Sequence, residues 1–147
     1  MAGFKGQYEN AIDEKGRVAI PAKMRRALTP AANETFTATR GLERCVFLYP
    51  LDRWESMEED FRGLNPYQRE ARDFLRTITR WAEDVTLDKQ GRIVLPKRLM
   101  DFAGLDGTAV IIGSLDRIEI WDPAVFSTYV EGIPGDYESI AERVMGI

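Results

Sequence analysis

Histidine is absent from this chain of 147 residues, and cysteine occurs once. Without histidine there is no imidazole for general acid or base work, no histidine-based triad, and none of the commonest metal ligand. A single cysteine likewise leaves no zinc site of ordinary type. Cys45 stands in the strand-like run "RCVFLYP". It has no disulfide partner, and a small buried hydrophobe is its expected role. No apolar run approaches the ~20 residues that span a membrane, and "MAGFKGQYEN" lacks the apolar stretch of a signal peptide. The chain therefore reads as cytoplasmic and independent of membranes. Positive charge is in deficit too, with 20 Lys and Arg against 24 Asp and Glu and a net charge of −4. Taken alone, that balance argues against a nucleic-acid partner, whose usual mark is a basic domain.

What is present changes the argument. The segment "NAIDEKGRVAIPAKMRRAL" near the start is answered much later by "DVTLDKQGRIVLPKRLMDF". Aligning them pairs Asp13 with Asp88, Gly16 with Gly91, Arg17 with Arg92, Ile20 with Leu95 and Pro21 with Pro96. After a small change of offset, "GLERCVFLYPLDRW" answers "GSLDRIEIWDPAVF", so that Val46 pairs with Ile118, Leu48 with Ile120, Tyr49 with Trp121 and Trp54 with Phe126. The chain is a duplication of a unit of about half its length, a two-copy design rather than a solenoid of three or more stacked repeats. The positive charge is concentrated in the repeated motif. Residues 13–26 hold five basic side chains (Lys15, Arg17, Lys23, Arg25, Arg26) against two acidic ones, and residues 88–98 hold four (Lys89, Arg92, Lys97, Arg98) against one. Both motifs are basic patches on an acidic body.

The local pattern predicts an α+β chain. "YENAI", "DEKG" and "RVAI" read as strand, turn and strand, a β-hairpin in which Gly16 supplies the positive φ of the loop. Pro21 suits the first turn of a helix over "AKMRRAL". Strands are expected near Thr35 to Thr39 and Val46 to Tyr49. Two helices then flank a break at Gly63 to Pro66, with Phe74, Leu75 and Ile78 at helical spacing. Strand, turn, strand and helix return from Glu83 to Ala103, followed by strands "TAVIIGS" and "RIEIW" and a helical tail from Pro123 interrupted by "GIPGD". Residues 1–54 are read as the first repeat, 55–80 as a helical connector and 81–147 as the second repeat with C-terminal helices. The two repeats should interlock over one core, burying edges that four short strands would otherwise expose.

Taken singly, Asp13 and Arg17 read as a charge pair steadying a turn, and Gly16 as a steric need. The return of the set in Asp88, Gly91 and Arg92, with basic residues following each time, favours a further role. A hairpin loop bearing Lys and Arg is suited to phosphates or to a groove, because Arg offers a planar fork for phosphate or guanine edges. The aromatics Tyr49, Trp54, Trp81 and Trp121 read as core rather than as a base-stacking platform, and "ESMEED" as a solvated helix face.

Together, "GQYENAIDEKGRVAIPAKMR", "TRGLERCVFLYPLDRWE", "LDKQGRIVLP" and "RIEIWDP" resemble the MraZ family, bacterial transcriptional regulators with two AbrB-like halves in one chain. The resemblance covers nearly the whole length. It implies a duplicated AbrB-like swapped-hairpin β-barrel with short peripheral helices, the arrangement that AbrB and MazE proteins make as dimers. It further implies ring-like homo-oligomers, nucleoid association, and binding to repeated boxes in the double-stranded promoter DNA of the division and cell-wall gene cluster that includes the family's own gene. The DNA-contacting role maps onto Arg17 and Lys15, with Arg92 and Lys89 in the second motif, where Gln90 in place of the first motif's Lys leaves that loop less basic. Two other functions remain open from the residues: an antitoxin-like interaction module, disfavoured by the lack of a long polar tail, and an enzyme using Asp13 and Glu14 with Mg²⁺. With no phosphate-cradling glycine loop, neither an enzyme nor a cofactor or small-molecule substrate is expected.

Overall fold

The computed structural model describes residues 3–146. Eight strands and six helices succeed one another as β1 (Gln7–Ala11), β2 (Arg17–Ala19), α1 (Ala22–Arg26), β3 (Thr35–Arg40), β4 (Val46–Pro50), α2 (Leu51–Arg62), α3 (Arg69–Trp81), β5 (Glu83–Thr86), β6 (Arg92–Val94), α4 (Lys97–Ala103), β7 (Thr108–Ser114), β8 (Arg117–Trp121), α5 (Pro123–Glu131) and α6 (Tyr137–Met145). A short 3₁₀ turn, Pro30–Ala32, precedes β3.

The chain is α+β, and its strands form a six-stranded antiparallel sheet of order β1-β7-β8-β4-β3-β5 and a two-stranded ribbon of β2 and β6. The order is symmetric about its centre. β1 of the first repeat pairs with β7 of the second, β5 of the second pairs with β3 of the first, and β4 meets β8 in the middle. The registers carry the same symmetry. Phe47 faces Glu119 between Val46↔Ile120 and Leu48↔Ile118, while Val18 faces Ile93 between Arg17↔Val94 and Ala19↔Arg92. A pseudo-twofold axis therefore passes through both central pairs, and each repeat completes the other.

One sequence expectation is corrected here. β1 and β2 close a turn through the bridge Ile12↔Val18 and the bonds from Asp13 N–H to the Arg17 carbonyl and from Gly16 N–H to the Asp13 carbonyl, but they do not continue as a hairpin ladder, and both strands find their long partners in the other repeat. The reason is burial. In β4 every residue is buried, and its inner face is sealed by Val18 of β2 and Ile93 of β6, one from each copy, in a single core cluster. The hydrogen-bond ladder does not close into a continuous barrel among the described residues: β1 and β5 end the sheet, and the ribbon lies across its inner face.

Strand alternation divides the core. Val46, Leu48, Ile118 and Ile120 point to the side where Val18, Ile20, Met24, Ile93, Leu95 and Leu99 from the ribbon and from α1 and α4 seal them. Phe47, Tyr49 and Trp121 point the other way, onto Trp54 and the helices after each sheet hairpin. Tyr49, Trp54 and Trp121 are thus core residues, and Trp81 is partly buried, packing its ring 5.6 Å from that of Phe102. Cys45 is fully buried, and burial pushes its thiol up to about 12, which leaves it unreactive. Pro21 and Pro96 stand one position before their helices rather than within the first turn, each in an extended conformation.

Candidate nucleic-acid interface

Each motif loop is built by its aspartate. Asp13 Oδ1 accepts the backbone N–H groups of Lys15 at 2.9 Å and Arg17 at 2.8 Å, and Oδ2 accepts Arg17 Nε at 2.6 Å. Asp88 repeats the arrangement, with Oδ1 accepting from Gln90 at 2.8 Å and Arg92 at 2.9 Å, and Oδ2 from Arg92 Nε at 3.0 Å. Such an aspartate closes a turn on its own backbone. Both carboxyls are held below the ordinary value of 3.8, chiefly by the backbone N–H of the following arginine, with the guanidinium adding to it. Gly16 at φ +80° and Gly91 at φ +75° have the left-handed conformation expected of them.

The spacing also has a consequence for the arginines. Nε is tied to the aspartate, so each guanidinium is oriented by its own loop. Neither group is deeply buried: the side chains of Arg17 and Arg92 are 33% and 30% exposed. Lys15 and Lys89 are exposed at the loop tips. Asp13 Oδ1 thus accepts two bonds and Oδ2 one, all from its own loop. Among the described residues there is no group of three or more His, Cys, Asp or Glu able to hold a metal ion, and no helix is long and apolar enough to cross a membrane.

The ribbon unites the two motifs. Its inner residues, Val18 and Ile93, are sealed in the core, which leaves Arg17, Ala19, Arg92 and Val94 on the outer face. Arg17 and Arg92 are diagonal neighbours in this register, a relationship that places them about 7–8 Å apart. The motifs, distant in sequence, thus form one surface: two diagonal arginines on the ribbon and a lysine-bearing loop at either end.

The two loops are not equal, and the difference runs opposite to the expectation that the second is less basic. Lys89 stands where the first loop has Glu14, so residues 88–92 carry two basic side chains against one acidic, whereas residues 13–17 carry two against two. Arg25 adds to this. Its Nε donates to the Ile20 carbonyl at 3.0 Å, and its guanidinium lies so close over Gly91 that a Cβ there would come within 2.5 Å of it. On the other side of the axis the neighbour of Gly16 is Met100. A polar cleft of about 490 Å³ opens beside the second loop, lined among others by Arg25, Arg26, Glu34 and Asp88. The sequence alone shows Arg25 only as part of a basic run, although its counterpart in the duplication, Met100, marks it as a position where the copies differ.

The duplicated motif agrees with comparison to known proteins. The family described as "MraZ protein, putative antitoxin-like" matches the chain twice, over residues 4–77 and 78–145. The chain belongs to the MraZ family. Similar proteins include the "Transcriptional regulator MraZ" of Desulfitobacterium hafniense strain DSM 10664 / DCB-2, 44% identical over 144 residues that cover 98% of each chain. The protein of the same name from Syntrophomonas wolfei is 40% identical over the same span, and that of Natranaerobius thermophilus is 41% identical over 142 residues, 97% of this chain and 96% of its own. The two MraZ matches divide the chain near the end of α3, between Thr77 and Ile78, while the pairings of β1 with β7, β2 with β6, β3 with β5 and β4 with β8 all cross that division.

Proposed function

We propose that this protein is a transcriptional regulator that binds double-stranded DNA sequence-specifically, at repeated boxes upstream of the division and cell-wall gene cluster that includes its own gene. The observation that carries the reading is the outer face of the β2–β6 ribbon, where Arg17 and Arg92 stand diagonal to each other, each held through Nε by its own aspartate. A two-stranded ribbon fits the major groove of B-form DNA, and a guanidinium fork fits the O6 and N7 edge of guanine. Lys15 and Lys89, at the two ends, serve as phosphate contacts that fix register without reading sequence. The relatives' shared name as transcriptional regulators supports this reading, and it is not the name of an enzyme.

With few basic side chains per subunit, a single copy neutralises few phosphates and binds one box weakly. Homo-oligomers, ring-like in arrangement and associated with the nucleoid, would repeat the ribbon and engage several boxes at once. A mobility-shift titration over a range of salt concentrations tests the reading, using DNA from upstream of the protein's own gene beside a scrambled duplex of equal composition. Preference for the upstream DNA that persists as salt rises supports it. Equal affinity for both duplexes at every salt concentration refutes it.

A further inference from the structure

Arginines and lysines do not account for the whole ribbon face. Val94, the last residue of β6, is apolar and 54% exposed on that face. It adds little to the core, because its neighbour Ile93 fills the inner face of β6. Strand propensity favours a β-branched residue there but does not require one, since Ala19 occupies the equivalent position in the first repeat. The duplication has placed an isopropyl group on one side of the axis and a single methyl on the other. Val94 is also directly opposite Arg17 in the register, as Ala19 is opposite Arg92.

We infer that Val94 is a specificity-determining residue that reads the 5-methyl group of a thymine beside the base pair read by Arg17. Directly opposed residues on a ribbon have Cβ atoms about 4.5–5.5 Å apart, while successive bases on a strand are about 3.4 Å apart. A ribbon lying in the major groove therefore sets neighbouring cross-strand side chains against base pairs one or two steps apart. The thymine methyl is the apolar group that base edges offer in that groove, and small apolar side chains are its usual partners. The pair Arg17 and Val94 would read guanine with one member and thymine with the other. The weaker pair, Arg92 and Ala19, would read guanine with less demand on its neighbour, which gives the pseudo-symmetric face a direction on the duplex.

The inference rests on the DNA-binding reading above, and one experiment separates the two. The duplex is the segment of upstream DNA that the protein protects in footprinting, with each thymine replaced singly by deoxyuridine, which removes the methyl and keeps the pairing. At one thymine per bound face, the parent should lose about fourfold in affinity, the loss expected for one buried methyl group. Val94→Ala should bind the unsubstituted duplex more weakly by a similar factor and no longer distinguish thymine from uracil at that position. Val94→Thr, which keeps one methyl of the branch, should recover part of the discrimination, and it guards against misreading a folding defect in the alanine variant. Normal preference for the upstream DNA with no thymine that matters, or unchanged thymine sensitivity in both variants, overturns the role of Val94 alone. Loss of preference for upstream over scrambled DNA in the parent overturns the DNA reading and this inference with it.

Discussion

Val18 and Ile93 face each other across the ribbon, and each is the other's counterpart in the duplication. The pair marks the axis about which the two motifs are arranged, so Arg17 and Arg92 are held at equal offsets from it on the solvent side. The function proposed for the ribbon depends on this placement, since neither arginine is needed to fill the core and each is oriented by its own aspartate.

Arg17→Ala should abolish preference for the specific box while leaving the protein folded. A good base-edge contact is worth about 1–3 kcal/mol of discrimination, and repetition of the ribbon in an oligomer multiplies the loss. Asp13 keeps its two backbone donors in this variant, so its loop retains the turn. The measurement is the ratio of affinities for upstream and scrambled DNA, beside a melting curve. Lys15→Ala should behave differently, weakening both duplexes alike and lowering the slope of log affinity against log salt by about one unit.

Asp13→Asn should reveal a dependence on acid. The parent carboxyl titrates below its ordinary 3.8 because Arg17 bonds it through backbone and guanidinium and Lys15 adds a backbone N–H. A group depressed in this way contributes stability that is complete above the unfolded value and is lost as pH falls through the folded one. The melting advantage of the parent over Asp13→Asn should therefore be constant at neutral and mildly acid pH and shrink only below 3.8. An advantage that instead shrinks between pH 7 and 5, roughly, would place the stabilisation elsewhere.

Gly16 and Gly91 separate two causes of strain. Both have positive φ, so Gly16→Val and Gly91→Val should each lower the melting temperature, with a left-handed β-branched residue costing at least about 1–2 kcal/mol. The close neighbours differ. A side chain at Gly91 meets the movable guanidinium of Arg25, whereas one at Gly16 meets the Leu95 carbonyl at 3.2 Å, which belongs to the backbone. Gly91→Ala should consequently cost less in an Arg25→Ala background, and Gly16→Ala should cost the same in either. Thermal melts of the double-mutant set check this directly.

Spacing between boxes should matter if several copies act together. Once one subunit is bound, a neighbouring box meets its partner at a high effective concentration, which can raise affinity by about 10² to 10⁴ when the geometry fits. Inserting roughly five base pairs between two boxes turns one to the opposite face of the duplex, while about 10 to 10.5 base pairs restore alignment. Binding should fall sharply with the half-turn insertion and less with the full turn. Indifference to both, with affinity equal to that of a single box, would rule out a multivalent complex.

Much of this molecule is legible without coordinates, because its decisive features are local or repeated. The doubled Asp-x-x-x-Arg pattern exposes the duplication, and the glycine before each arginine announces a positive φ that the backbone indeed adopts at both places. The continuous apolar run "VFLY" identifies a strand with two covered faces, alternation in "RIEIW" identifies another strand, and helical spacing of Phe74, Leu75 and Ile78 identifies α3. Pairing partners lie beyond such reading. The short turn from Asp13 to Arg17 suggests that β1 and β2 pair together, since a hairpin is the nearest partner in sequence; the core shared by the two repeats instead sets β1 against β7 and β2 against β6. The site shows the same division. Asp13, Arg17, Asp88 and Arg92 are legible as repeated types at fixed spacing, but their meeting on one face depends on contacts between residues about half a chain apart, which leave no local periodicity. Arg25 over Gly91 and Val94 opposite Arg17 carry no sequence signal for that reason. Their roles come from the other repeat's backbone, and only packing of the two copies around the Val18–Ile93 axis brings them there.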